Sequence, residues 1–306
     1  MKRSLSISIA IIAITCLSAF SNVNTCHRKI DPVVSTQWLS SNLNSGLVML
    51  DLRSSDAYEA GHIPNTINSP VAGWWTTRDE LLLELLDEES LRTKIGELGI
   101  DASKKVVLTN TALNDFDRAQ TNRVAWTLIY AGIANVAILD GGYTKWVAEG
   151  REITQYSLLP EIIVYTGKFR TSVLISKASV MRNLCSARII DARIPEDFFG
   201  VTTPRQYSEK DGHIAGAVSL PTPWTFTSEG LYKDRDTLEA MVHGVIEQSC
   251  HNSNKRIIIY CGVGGFASTL WFIMSEVLGY ENASLYDGSI QEWTRDPNAP
   301  VQKFKW

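Results

Sequence analysis

The chain has 306 residues, too many for one ordinary core and enough for two domains of about 130 residues each. Hydrophobic residues make up 44% and charged residues 20%, the balance of an ordinary globular protein. The formal net charge of −4 offers no basic footprint for phosphates, so composition gives no case for a nucleic-acid partner.

At the N-terminus Lys2 and Arg3 precede an apolar, serine-dotted run from Leu5 to Phe20, and Ala19-Phe20-Ser21 places small residues where a signal peptidase reads. This is the three-part layout of a secretory signal, expected over residues 1–21 and cleaved. The run is short for a membrane span. The alternatives are an uncleaved anchor, or a lipoprotein attached through Cys16 or Cys26. The residue before each of those cysteines is threonine (Thr15, Thr25), larger than usual there. The expected location is therefore outside the cytoplasm, in a periplasm. An exported thiol meets an oxidising compartment and would need an envelope redox partner or a stored persulfide. The five cysteines, Cys16, Cys26, Cys185, Cys250 and Cys261, form no CxxC pair and no zinc pattern, so no metal is expected.

Beyond this segment the chain repeats itself. Val48–Arg53 (VMLDLR) resembles Arg188–Arg193 (RIIDAR), each an apolar run ending in Asp-x-Arg. Gly61-His62-Ile63 then matches Gly212-His213-Ile214, and Lys105–Asn110 matches Arg256–Cys261. Asp140-Gly141 with Trp146 matches Asp287-Gly288 with Trp293. His62 to His213 and Asn110 to Cys261 each span 151 positions; the last two pairs each span 147. Register held through four elements implies two copies of one domain. The copies are expected at residues 31–159 and 171–306, joined by a polar linker.

Within each copy short β-branched runs alternate with helical stretches. Ile257–Tyr260 reads as a buried strand and Ser268–Leu278 as a helix stopped by Gly279. The predicted fold class is α/β: two doubly wound domains, each a mostly parallel sheet flanked by helices. Ligands of such sheets bind beyond the C-terminal strand ends, and Cys261 sits at one of them.

Cys261 opens the run Cys-Gly-Val-Gly-Gly-Phe-Ala-Ser. Glycines let backbone N–H groups turn inward, and a following helix N-terminus adds its dipole. The amides of Gly262, Val263, Gly264, Gly265, Phe266 and Ala267 are thus expected to cradle the sulfur and lower its pKa. A buried cysteine before a tight turn is the competing reading.

These paired Asp-x-Arg, Gly-His-Ile, Cys-x-x-Gly and Asp-Gly-x-x-x-x-Trp elements resemble the rhodanese superfamily. Two copies with cysteine in the second alone resemble thiosulfate and 3-mercaptopyruvate sulfurtransferases. The resemblance implies that donor sulfur passes to Cys261 as a persulfide and then to a thiol, cyanide or protein acceptor, without a cofactor. It implies an inactive first half, since Asn110 replaces the cysteine, and a role for Arg205 on a substrate carboxylate. His62 and Asp51 match first-domain residues that assist in mercaptopyruvate-type enzymes through a loop serine, but here Val263 stands in place of that serine. Thiosulfate-type loops carry basic residues where this chain has Gly262 and Val263, and Phe266 occupies a place often held by threonine. Polysulfide or a protein persulfide therefore suits the loop at least as well as thiosulfate. The polar segment Thr111–Thr121 is expected to reach the interdomain cleft, Arg53 and Arg193 to make structural ion pairs, and Asp287 with Trp293 to fix a turn and pack a helix.

Two other classes compete. Cysteine phosphatases and arsenate reductases need five loop residues and then arginine, whereas Ala267 stands six after Cys261. A non-enzymatic sulfur or selenium carrier, or a structural subunit of an envelope redox system, would use the same thiol.

Overall fold

The computed structural model describes residues 28–201, 205–246 and 255–304. The expected signal over residues 1–21, and Cys16, Cys26 and Cys250, lie outside the described residues.

The first half builds β1 (Val33–Val34), α1 (Thr36–Asn42), β2 (Val48–Asp51), α2 (Ser55–Glu59) and β3 (Thr66–Asn68). A hairpin of β4 (Trp75–Arg78) and β5 (Leu81–Leu85) follows, then α3 (Glu88–Glu97), β6 (Lys105–Thr109), α4 (Asp115–Tyr130), β7 (Asn135–Leu139) and α5 (Gly142–Ala148). The second half builds β8 (Leu174–Ile175), α6 (Lys177–Arg182), β9 (Arg188–Asp191), α7 (Pro195–Phe199), β10 (His213–Ile214) and β11 (Val218–Ser219). It continues with α8 (Arg235–Ile246), β12 (Ile257–Tyr260), α9 (Gly265–Phe272), β13 (Ala283–Tyr286), α10 (Ser289–Thr294) and β14 (Val301–Gln302).

Each half has a five-stranded sheet, β1-β7-β6-β2-β3 in the first and β8-β13-β12-β9-β11 in the second. All pairings within both are parallel. The orders superimpose strand for strand, so the sequence repeat is a repeat of topology. The small antiparallel pairing of His213 with Gln302 also has a first-half counterpart, the bridge of His62 with Thr154. β7 and β12 are buried along their whole lengths, which is why their sequences are apolar runs without alternation.

Local chemistry fixes the helices that matter for the site. The Asn114 side chain caps α4 by accepting from the amides of Phe116 and Asp117, and Asp115 and Asp117 complement the first-turn dipole. α9 begins at Gly265, three residues before the predicted start, because Gly264 supplies a left-handed cap (φ +88°). Past Phe272 the helix widens into a π turn, closed by the Leu278 amide donating to the Ile273 carbonyl.

α4 and α9 pack against each other and fuse the halves. A continuous apolar cluster runs from Val124 and Leu128 on α4 to Ala267, Leu270 and Trp271 on α9. Fully burying one such large side chain contributes about 1.5–3 kcal/mol. The outer face of each sheet has its own cluster, around Trp146 in the first half and Trp293 in the second. The linker is more apolar than expected: Tyr165 is buried, with its hydroxyl donating to the Ala131 carbonyl, and Phe169 packs edge-on to Tyr130. No helix among the described residues is long and apolar enough to cross a membrane.

Candidate functional site

β12 delivers Cys261 to the C-terminal edge of the second sheet, and α9 starts four residues later. The turn between them is held from behind by α10. The Cys261 amide donates to Ser289 Oγ (3.1 Å), and the amides of Ile290 and Gln291 donate to the carbonyls of Cys261 and Gly262. In front, the Gly264 amide donates to Cys261 Sγ at 3.2 Å. Gly264 has no substitute: its φ is left-handed, and a Cβ there would lie 2.8 Å from Asp287 Oδ1. Gly262 is constrained by space alone, because a Cβ would lie 2.7–2.9 Å from the Tyr207 ring and hydroxyl and the ring would have to shift.

The expected lowering of the thiol pKa is only half present. The amides of Ala267, Val263 and Gly264 do pull it down, but burial of the thiol, only 2% exposed, pushes it up further. The free Cys261 thiol is therefore protonated to a higher pH than an ordinary thiol. Its alkylation by iodoacetamide is expected to rise with pH around a midpoint above that of free glutathione. A midpoint below glutathione's would show that the amides outweigh burial.

Cys261 opens into a cavity of about 350 Å³ between the halves. The second half contributes Gly262, Val263, Gly265, Phe266, Ile194, Arg193, Asp197, Arg205 and Tyr207. The first contributes Trp75 and Leu83 from the hairpin and Phe116, Ala119, Gln120 and Arg123 from α4. The segment Thr111–Thr121 thus reaches the cleft through Phe116, Ala119 and Gln120. Arg205 lines the mouth, with its Nε donating to Asp197 at 3.0 Å. Arg193 is held by both oxygens of Asp191 and by the Gly212 carbonyl. Arg123 pairs with Asp287 at 2.5 Å. Each guanidinium in the wall already faces a carboxylate.

His62 and Asp51 are not brought to Cys261. Both are fully buried in the first half. His62 Nδ1 meets the Tyr58 carbonyl (2.8 Å), Nε2 meets the Tyr156 carbonyl (3.1 Å), and the ring stacks on Tyr58. Asp51 is engaged by the Arg53 guanidinium, which also donates to the Gly61 carbonyl. Asp191 and Arg193 repeat this arrangement, and His213 stacks on Phe198 with Nδ1 at its carbonyl. These residues order the turn after each strand, so the assisting role for His62 and Asp51 is withdrawn.

Asp287 does more than fix a turn. Besides pairing with Arg123 it accepts from the Leu85 amide, which seats the hairpin of the first half on the second. Gln291 accepts from the Leu82 amide and donates to its carbonyl, and Arg295 donates to the carbonyls of Asp79 and Glu80. The turn holds Asp79 and Glu80 at φ +50° and +63°, the left-handed pair that suits a tight hairpin. Sequence reasoning missed Trp75, Leu83, Arg123 and Tyr207. Tyr207 alone left a trace, two residues past Arg205 in the same insertion.

Glu84 of this hairpin faces Asp287, Glu292, Arg123 and Arg78. Burial first, and then the Asp287 charge, push its carboxyl up to about 7 from an ordinary 4.5. As pH rises from 4.5 to 7 the unfolded chain releases this proton while the folded chain retains it, so stability falls across that window. Glu84→Gln is therefore expected to raise Tm by roughly 2–4 °C at pH 8 and to change it little at pH 4.5. Thermal melts across this range test the assignment, and a shift independent of pH would refute it.

In the first half the corresponding site is plugged. Asn110 donates to the Asp117 carbonyl and accepts from the Thr111 amide. Tyr232 of the second half enters with its amide on Asp140 and its hydroxyl on Asn122. About 10 Å³ of space remains, the room of a single water at most.

The comparisons with known proteins follow this architecture. Residues 35–149 and 176–296 each match the family described as Rhodanese-like domain. A Haloferax volcanii protein named "Putative thiosulfate sulfurtransferase" is 30% identical over 295 residues, covering 89% of this chain and 96% of that protein. A Mycolicibacterium smegmatis protein of the same name is 27% identical over 282 residues, covering 89% and 98%. Sulfur carrier protein TtuD of Thermus thermophilus is 26% identical over 290 residues, covering 89% and 96%. Among solved structures, the anaerobic ergothioneine biosynthesis enzyme of Chlorobium limicola shares the fold, with a TM-score of 0.75 at 22% identity over 89% of this chain and 70% of that one. With both halves matched and the relatives spanned nearly end to end, the chain belongs to the rhodanese family as a tandem-domain member.

Proposed function

We propose that this protein is a sulfurtransferase in which Cys261 is the sulfur-accepting nucleophile. The observation that carries the reading is the placement of a free thiol against inward amides at the base of an interdomain cavity. The Cys261 thiolate attacks the sulfane sulfur of the donor, and the donor's leaving group departs with the electron pair. The resulting persulfide is then attacked at its outer sulfur by a nucleophilic acceptor, and Sγ recovers the pair. The amides of Val263, Gly264 and Ala267 face the sulfur and stabilise its negative charge.

The donor class follows from charge. Arg123, Arg193 and Arg205 are each paired, and Trp75, Leu83, Phe116, Val263 and Phe266 make the rest of the wall largely apolar. A dianion would lose its hydration there without an unpaired cation in return. An organic persulfide, or polysulfide in its singly protonated, monoanionic form, is thus favoured over thiosulfate, with 3-mercaptopyruvate, a monoanion, between them. The sulfur carrier among the relatives supports a second reading, in which Cys261 holds sulfur stoichiometrically for one protein acceptor. Export to a periplasm rests on the pattern of residues 1–21 and is tested by N-terminal sequencing of protein from fractionated cells.

The test of function is the intact mass after exposure to polysulfide, 3-mercaptopyruvate and thiosulfate in turn. A gain of one sulfur, removed by cyanide, is expected, fastest with polysulfide. Turnover with a small thiol separates the enzyme from the carrier. No gain from protein with a free Cys261 thiol would overturn both.

A further inference from the structure

With the guanidiniums paired, Tyr207 and Gln120 are polar side chains of the cavity without a hydrogen-bond partner among the described residues, and of the two it is Tyr207 that packs on the loop of Cys261. Its ring covers the backbone of Gly262, leaving no space for a side chain there. It lines the same cavity as Cys261 and lies within electrostatic reach of it. No group among the described residues hydrogen-bonds its hydroxyl. Burial, with the charges of Asp197 and Cys261, pushes that hydroxyl above the ordinary tyrosine value, so it remains a neutral donor. The loop amides surround Sγ from the side of α9. A sulfur atom added to Sγ must project into the cavity, where Tyr207 forms part of the wall.

We infer that the Tyr207 hydroxyl is the side-chain hydrogen-bond donor to the outer sulfur of a Cys261 persulfide, and that it prepares this sulfur for attack. The inference rests on the sulfur-transfer reading above. In the discharge step an acceptor thiolate forms a bond to the outer sulfur and the bond from that sulfur to Sγ breaks. Its electron pair stays on Sγ, and the acceptor leaves as its own persulfide. Two negative charges stand on each side of the step, and no oxidant or reductant is consumed. Both reactants are anionic. Donation from the phenol draws charge off the outer sulfur and lowers the repulsion as they approach, while the tyrosine keeps its proton.

Tyr207→Phe retains the ring over Gly262 and removes only the donor. Wild type and variant are loaded with polysulfide, checked by intact mass, and mixed rapidly with a small thiol across a range of pH. Both are expected to gain one sulfur. The variant should discharge about 10- to 100-fold more slowly, the effect of one hydrogen bond to a charged group. Half-saturation by the thiol should stay unchanged. The titration of the outer sulfur, read from the pH profile of discharge, should move upward, which loss of packing alone would not produce. Equal discharge rates with coincident pH profiles would overturn the assignment and leave sulfur transfer standing. Failure of the wild-type protein to load would overturn sulfur transfer, and the role of Tyr207 with it.

Discussion

Cys261→Ser is expected to abolish sulfur loading, lowering transfer by at least about 1,000-fold, while the protein melts within about 1–2 °C of wild type. Serine is close in size to cysteine and can still accept from the Gly264 amide, so the turn into α9 should hold. A hydroxyl has no accessible anion near neutral pH and cannot form a persulfide. Intact mass and a single-turnover assay with cyanide measure the two losses. Retained transfer would remove Cys261 from the mechanism. Loss of transfer with a large fall in Tm would leave the thiol as a packing residue. The free Cys185 is exposed and serves as an internal control for labelling.

The second large effect concerns the joint between the halves. Arg123 is 1% exposed, with its guanidinium on Asp287 and on the Leu83 carbonyl. Arg123→Met fills similar volume but leaves Asp287 buried without its counter-charge. Removing one partner of a buried pair costs about 3–5 kcal/mol. Denaturant unfolding should show that loss. The hairpin that places Leu83 and Trp75 in the cavity wall should loosen with it, so sulfur transfer should fall even where the variant is fully folded. A change below about 1 kcal/mol would mean that water replaces the pair and that the apolar contact of α4 with α9 holds the halves alone.

Much of the site was legible because it is local. The run of β12, the thiol at its end and the glycines after it are contiguous, and backbone geometry allows few ways to connect a buried strand to a helix through such a turn. The repeat was legible for a related reason. Asp-x-Arg followed by Gly-His-Ile is a self-contained hydrogen-bonding unit, Arg193 reaching both Asp191 and the Gly212 carbonyl, so both copies retain it. The same unit explains why His62 and Asp51 matched an assisting pair by position and yet serve the turn. Spacing along the chain records that such a unit exists, but does not record whether it faces the thiol.

By itself the sequence determined two α/β copies, a thiol at the strand end of the second, asparagine in its place in the first, and a loop without basic side chains. Only the tertiary structure decided how the thiol is surrounded. The crossing of the β4–β5 hairpin, the pairing of Arg123 with Asp287 and the seat of Tyr207 on Gly262 join residues 55 to 216 positions apart. No periodicity or motif encodes such contacts, because they depend on how two completed domains dock. The protonation of Cys261 was decided there as well. The amides that lower the thiol pKa are read from the loop, but the burial that raises it depends on how the folded chain packs around the thiol, and burial is the larger effect.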